Sequence, residues 1–239
     1  MSLGQFLRAS QPGKTGVDGI YTESFSKTRP SGRVVLCRRP SPGLRVPAPV
    51  GHCRRTIVWP WPPQRFLVPL LPLLAAHLDL PTDVFDTAFA ESQFSFRLTH
   101  YPPVAAEPNQ FGIAPHTDAN FMTFLAQSDV PGLQIRMPDG RWLDVPYVPG
   151  SFAVNSGDMM QRWTNHRFKS TPHRALPPVG RPRYAIPYFL GPHLDTEIAC
   201  LPTCHGQGNP PRYPPISYAQ YLEWWYDANY NAARQRDVA

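Results

Sequence analysis

Beyond residue 92 the apolar positions recur at every second residue. Phe94, Phe96 and Leu98 alternate with Ser95, Arg97 and Thr99, and Leu133, Ile135 and Met137 repeat the pattern farther on. A period of two marks strands whose side chains alternate between two faces. Residues 121–126 form a short apolar run. Pro138-Asp139-Gly140-Arg141 is a turn signal, and Trp142-Leu143-Asp144-Val145 returns from it as a strand. Phe152-Ala153-Val154 and residues 184–189 supply further strands. Short strands spaced by roughly 8–12 residues predict a mainly β sandwich or barrel, with a jelly roll as the natural candidate.

Helical spacing flanks this region. Within residues 66–89, Leu70, Leu73, Leu74, Ala76 and Leu78 predict an apolar stripe, with Pro72 restricting its start. Pro81-Thr82-Asp83 reads as a new helix entry for residues 84–90. Residues 217–233 predict a closing helix, with Tyr218, Tyr221, Trp224 and Trp225 as core contacts. Residues 1–65 differ from all of this. Pro30, Pro40, Pro42, Pro47, Pro49, Pro60, Pro62 and Pro63 interrupt any helical period, and no alternation replaces it. The expected organisation is an irregular Arg/Pro-rich segment at 1–65, then a helix and jelly-roll domain at 66–239.

Charge adds less than its total suggests. The formal net charge is +6, but residues 1–65 hold 11 Lys and Arg against Asp18 and Glu23, and the remainder holds 12 against 15 acids. The basic excess therefore sits in the Pro-rich leader. A nucleic-acid partner is not expected, because such binders carry their basic residues on a folded face. The most apolar stretch, residues 66–80, is short and broken by Pro69 and Pro72, so neither a membrane span nor a membrane partner is expected. The first 30 residues lack the apolar core of a secretory signal, and a cytoplasmic location is the expectation. Cys37, Cys53, Cys200 and Cys204 show no dense pairing pattern and are expected to be free thiols. Cys200, Cys204 and His205 lack the second pair that a zinc clip needs.

The chemistry is carried by His116-Thr117-Asp118, then His173, then Arg183. Two imidazoles and one carboxylate can hold a non-haem Fe(II) on one face and leave the other open. If His116 lies at a strand end, alternation sends Asp118 to the same side and Thr117 away. A fixed cation just beyond the last ligand suits the acid end of a co-substrate.

The words around these residues carry a resemblance. Phe111-Gly112-Ile113-Ala114-Pro115-His116-Thr117-Asp118, Gly132-Leu133-Gln134-Ile135, Asn155-Ser156-Gly157-Asp158, Thr171-Pro172-His173-Arg174 and residues 183–189 together resemble the iron- and 2-oxoglutarate-dependent dioxygenases of the isopenicillin N synthase-like family. The likeness covers about residues 92–232. It implies a double-stranded β-helix with iron at one mouth, held by His116, Asp118 and His173. It implies 2-oxoglutarate as co-substrate, its far carboxylate on Arg183, with Tyr101 of Thr99-His100-Tyr101-Pro102-Pro103 helping to bind it. The implied reaction oxidises a small organic molecule with O2 and releases succinate and CO2. Phe189 falls where relatives often place an aromatic against substrate. His100 is expected to face away from Tyr101, Arg174 to make a supporting ion pair, and Asn155, Gly157 and Asp158 to shape a turn, with Gly157 permitting unusual backbone angles.

The chain also departs from that pattern. Ala185 stands where the family's Arg-x-Ser motif has serine, which removes a hydrogen bond to a carboxylate worth about 1.5–3 kcal/mol. Tyr21-Thr22-Glu23-Ser24-Phe25 resembles the family's usual lead-in, but residues 26–65 lose the likeness, as an aberrant or truncated segment would. Two other readings are compatible with the residues: an oxidase of the same fold that takes no 2-oxoglutarate, and an impaired relative that only binds metal.

Overall fold

The period-two segments form two antiparallel sheets. The structure, a computed structural model, describes residues 21–26, 35–38 and 68–231. One sheet has six strands: β1 (Tyr21–Ser26), β2 (Val35–Arg38), β3 (Gln93–Tyr101), β5 (Met122–Gln127), β8 (Ala153–Ser156) and β10 (Arg183–Gly191), in the order β2-β1-β3-β10-β5-β8. The other has four: β4 (Ile113–His116), β6 (Leu133–Arg136), β7 (Trp142–Asp144) and β9 (His173–Ala175), in the order β4-β9-β6-β7. The crossed order is that of the jelly roll expected from the strand spacing, the double-stranded β-helix that the resemblance implied.

β1 and β2 lie inside the stretch expected to be irregular. They extend the six-stranded sheet at one edge, β1 pairing with β3 over its whole length. The aromatic and β-branched residues Tyr21, Thr22 and Phe25 favour the first of them. The rest of residues 1–65 lies outside the described residues, as do Cys53 and the expected helical positions Phe66 and Leu67.

The main apolar core lies outside the barrel, between the outer face of the large sheet and four short helices. These are α1 (Leu71–His77), α2 (Asp86–Phe89), α3 (Asp158–Trp163) and α4 (Tyr218–Tyr226). Phe85, Phe89, Phe121, Trp163, Met159 and Leu190 form its centre, with Phe85 5.4 Å from Trp163 and 5.8 Å from Phe121 between ring centroids. Each such side chain contributes about 1.5–3 kcal/mol by leaving water. Toward the far end of the same sheet face the helices give out, and Val154, Tyr184 and Ile186 are exposed.

Two helical expectations need correction. The buried residues of α1 are Leu71 and Ala75, followed by Leu78 at its end; of the expected stripe Leu70, Leu74 and Leu78 pack on the core, whereas Leu73 is 65% exposed. Pro72 sits in the first turn, where its missing N–H costs nothing, so it does not keep the helix from starting at Leu71. In α4 a capping box closes the start, with Ser217 Oγ accepting from the Gln220 amide and Gln220 reaching back. Tyr218 and Tyr221 are buried and Trp225 packs against the core, but Trp224 is 53% exposed and meets the core only at its edge, 5.9 Å from the Tyr221 ring centre.

Inside the barrel the apolar content is small. Tyr101, Ala175 and Ala185 cluster there with Ile113 and Leu125 against them. Thr123, Gln127 and Arg183 line the same face and, apart from Phe189, few other apolar groups do, which leaves the interior for chemistry.

Candidate active site

β4 and β9 are adjacent and antiparallel, with Ile113 opposite Ala175 and His116 opposite His173. The register shifts by one residue between those pairs. That irregularity puts the two imidazoles directly across from each other, with ring centroids 4.3 Å apart. Asp118 completes the group: the ligand atoms of His116, Asp118 and His173 all lie within 4.8 Å of one another. Asp118 Oδ1 is 3.8 Å from His116 Nε2 and 3.6 Å from His173 Nε2.

Asp118 reaches this position differently from the strand argument. β4 ends at His116, so Asp118 lies in the following loop, held by hydrogen bonds and not by pleat alternation. Its carbonyl accepts from the Asp158 amide at 2.7 Å, and Thr117 Oγ1 donates to Asp158 Oδ2 at 2.9 Å. Trp225 Nε1 donates to the same Asp158 oxygen at 2.8 Å, tying the loop to α4.

Each ligand is oriented by a partner. His116 Nδ1 lies 2.8 Å from the Ala114 carbonyl, and His173 Nδ1 lies 3.0 Å from that of Thr171. A carbonyl only accepts, so both Nδ1 atoms carry the proton and both Nε2 lone pairs face inward. Burial, and then the neighbouring His173, lower the His116 pKa below its ordinary value against the opposing pull of Asp118, which favours the neutral form that binds metal. Asp118 Oδ2 accepts from Thr123 Oγ1 at 2.7 Å and Asn155 Nδ2 at 2.9 Å, leaving Oδ1 as its free face.

Asn155 and Gly157 therefore do more than shape a turn. Gly157 has φ −99 and ψ 179, an extended conformation open to any residue. It is glycine because of close approach: an added Cβ would lie 2.7 Å from the Asp118 carbonyl and still nearer that of Asn120. Gly157→Ala is expected to push the Asp118 loop outward and cost about 1–3 kcal/mol, read as a lower melting temperature together with weaker metal binding. Thr123→Val and Asn155→Ala each remove one hydrogen bond to Asp118. Each is expected to weaken metal affinity about 10- to 100-fold in a competition titration, with the double variant worse than either.

Arg183 lies deeper in the barrel and is only 1% exposed. Nη2 donates to Gln127 Oε1 at 3.0 Å, while Nε and Nη1 are buried with no hydrogen-bond partner. The guanidinium carbon lies 5.0 Å from the centre of the Tyr101 ring. Burial lowers the Arg183 pKa and raises that of Tyr101, and each group partly offsets the shift in the other. A buried guanidinium with unused donors on two of its three nitrogens can receive a carboxylate. Gly132 leaves room for its stem: a Cβ there would meet Arg183 Cδ at 3.1 Å.

The structure thus brings His116, Asp118 and His173 together and sets Arg183 beside Tyr101 on paired strands. Phe189 faces the barrel opposite Thr123. His100 faces outward against Tyr184, at 5.0 Å between ring centroids, as alternation requires. Arg174 makes no ion pair among the described residues. It donates to Gln134 and stacks 4.1 Å from the Trp142 ring centre and 5.3 Å from that of Phe111. Thr123 and Gln127 were missed in the sequence. Their signal was present: they are polar residues at alternate positions of an otherwise apolar strand.

Comparison with known proteins identifies the family. Residues 92–192 match the family model described as the 2OG-Fe(II) oxygenase superfamily. The chain belongs to that superfamily. It is 38% identical over 168 residues to the 2-oxoglutarate-Fe(II) type oxidoreductase hxnY of Emericella nidulans, an alignment that covers 69% of this chain and 48% of that protein. It is also 38% identical to gibberellin 3-beta-dioxygenase 2 of Arabidopsis thaliana, over 56% of this chain and 39% of that one. Among solved structures, the rice dioxygenase for auxin oxidation superposes with a TM-score of 0.61 at 28% identity, over 69% of this chain and 55% of that one. A putative 2OG-Fe(II) oxygenase family protein from Caulobacter crescentus gives 0.64 at 29% identity over 92% and 74%. The chain spans about half the length of the curated relatives it matches, 48% and 47% for the first two.

Proposed function

We propose that the protein is an Fe(II)- and 2-oxoglutarate-dependent dioxygenase that oxidises a small organic molecule and releases succinate and CO2. The observation that carries this reading is the pair of unpartnered N–H donors on buried Arg183, in the same barrel as the three inward-facing ligands. A metal site alone leaves those donors unexplained, whereas a dicarboxylate co-substrate satisfies them.

The donor set suits iron. His116 and His173 would each offer Nε2, and Asp118 would offer Oδ1, leaving the opposite face open for co-substrate and O2. Fe(II), when bound, supplies the oxygen-activating redox chemistry that no side chain here provides. The chain's own residues hold and orient. Thr123 and Asn155 keep Asp118 from rotating, and the carbonyls of Ala114 and Thr171 fix both imidazole rings. Arg183, set by Gln127 and floored by Tyr101, would take the far carboxylate of 2-oxoglutarate in a two-pronged contact. Thr99, buried and directly opposite Ala185 on β3, places a hydroxyl on the strand next to the missing serine.

The test is an anaerobic titration of Fe(II) and 2-oxoglutarate into the purified chain, following the weak visible charge-transfer band of the chelate. A saturable band is the expected result. Iron binding without a band would remove 2-oxoglutarate from the reading, and no iron binding to folded protein would remove catalysis. Among the described residues no helix is long and apolar enough to cross a membrane, and Cys200 and Cys204 are free thiols. Free thiols suit a reducing compartment, which supports a cytoplasmic location. A small molecule and O2 are the partners the site requires; no nucleic acid enters this reading.

A further inference from the structure

Arg97 is a second cation on the barrel-lining face, and the proposed reaction does not use it. β3 and β10 pair with Tyr101 opposite Arg183 and Thr99 opposite Ala185, and all four of these residues are buried. Side chains on one strand share a face at every second residue, so Arg97 follows Tyr101 and Thr99 on the inner side. Its guanidinium lies 5.2 Å from the ring centre of Phe189, another barrel-facing residue, and its charge acts on both His116 and Tyr101. Unlike Arg183, it is exposed, and it has no hydrogen bond or ion pair among the described residues. It therefore stands at the solvent-exposed part of the inner face, four residues along β3 from Tyr101.

Stacking over an aromatic ring fixes a guanidinium plane and leaves its in-plane N–H donors free. Such a fork matches a carboxylate in two prongs. The charges inside the barrel point the same way. A divalent iron, the Asp118 carboxylate, the 2-oxoglutarate dianion and the Arg183 guanidinium together balance to neutrality, which leaves Arg97 without a counter-charge. Asp118 does not serve it, because one of its oxygens is bonded to Thr123 and Asn155 and the other faces the two imidazoles.

We propose that Arg97, held on the Phe189 ring, is the specificity-determining residue of the substrate site, and that the organic substrate carries a carboxylate which it binds. This rests on the dioxygenase reading above. Phe189 then acts as the platform that orients the cation and lies against the apolar part of the substrate.

The experiment uses the full chain loaded anaerobically with Fe(II) and 2-oxoglutarate. A panel of aromatic, alicyclic and straight-chain monocarboxylic acids is titrated in, alongside their primary amides, and the shift of the chelate band is followed. At least one acid is expected to perturb the band about tenfold more tightly than its amide, the scale of one hydrogen bond to a charged group. Arg97→Gln should erase that preference, and Arg97→Lys, which keeps the charge without the fork, should retain part of it. The proposal is overturned if acids and amides bind alike, if no acid perturbs the band, or if Arg97→Gln leaves the preference intact. It is also overturned if Arg97→Gln weakens the 2-oxoglutarate titration itself, because the residue would then serve the co-substrate. Absence of the band in the unmodified protein would be a failure of the dioxygenase reading, and the titration in the absence of acids separates the two.

Discussion

Arg183→Met is expected to abolish 2-oxoglutarate binding while leaving the fold intact. The two donors that Arg183 holds in reserve would make two charge-assisted bonds, each worth about 1.5–3 kcal/mol. Losing both corresponds to roughly a hundred- to ten-thousand-fold weaker binding, at about 1.4 kcal/mol per factor of ten. The effect on stability should be of the opposite sign or near zero. Arg183 is a buried charge with no carboxylate partner among the described residues, and burial already lowers its pKa. A long apolar side chain of similar volume removes that desolvation cost. The melting temperature without ligand is therefore expected to hold or rise by a few degrees, at about 2–4 °C per kcal/mol for a domain of this size. Added 2-oxoglutarate and metal should raise the melting temperature of the unmodified protein, and 2-oxoglutarate should add nothing beyond metal in the variant. A variant that simply unfolded would show the reverse. Arg183→Lys should fall between, since it keeps the charge and loses the fork.

His173→Ala is expected to remove iron from the protein. The binding free energy of a four-ligand structural zinc site, about 10–16 kcal/mol, sets a scale of about 3 kcal/mol per ligand and a loss of roughly a hundredfold or more. The chelate band should vanish with the metal, because 2-oxoglutarate would have no iron to chelate. His173 sits in the three-residue β9 between β4 and β6, with its Nδ1 bonded only to a local carbonyl. The substitution should therefore leave the far-UV circular dichroism unchanged. Retained iron at unchanged affinity would mean that the metal lies elsewhere, and the assignment of His116 and Asp118 would go with it.

Much of the site could be read from the chain because its residue types are few and chemically particular. His116, Asp118, His173 and Arg183 stood out once their order was set beside the strand pattern. The partners that make them work were harder to see. Thr123, Asn155 and Gln127 are ordinary polar residues in strands, and what singles them out is which face they occupy and what lies across from it. Gly157 was noticed for the wrong reason: its backbone angles are common, and the constraint is the nearness of two carbonyls from another segment. The helix errors have a similar origin. Leu73 and Leu74 look equivalent in a seven-residue helix, and only the body of the sheet decides which one faces it.

By itself, then, the amino-acid order determined the class of fold and singled out the three residues that the structure brings together. Period-two alternation is local, and the donor set is a matter of composition and sequence. Tertiary structure decided the rest: the one-residue shift between β4 and β9 that aligns the imidazoles, the loop that carries Asp118 past the strand end, and the neighbours that set its free oxygen. It also decided that Arg97 shares an interior with Arg183. Those relations join residues tens of positions apart through register and burial, and no local pattern along a chain encodes which distant strand will lie beside it.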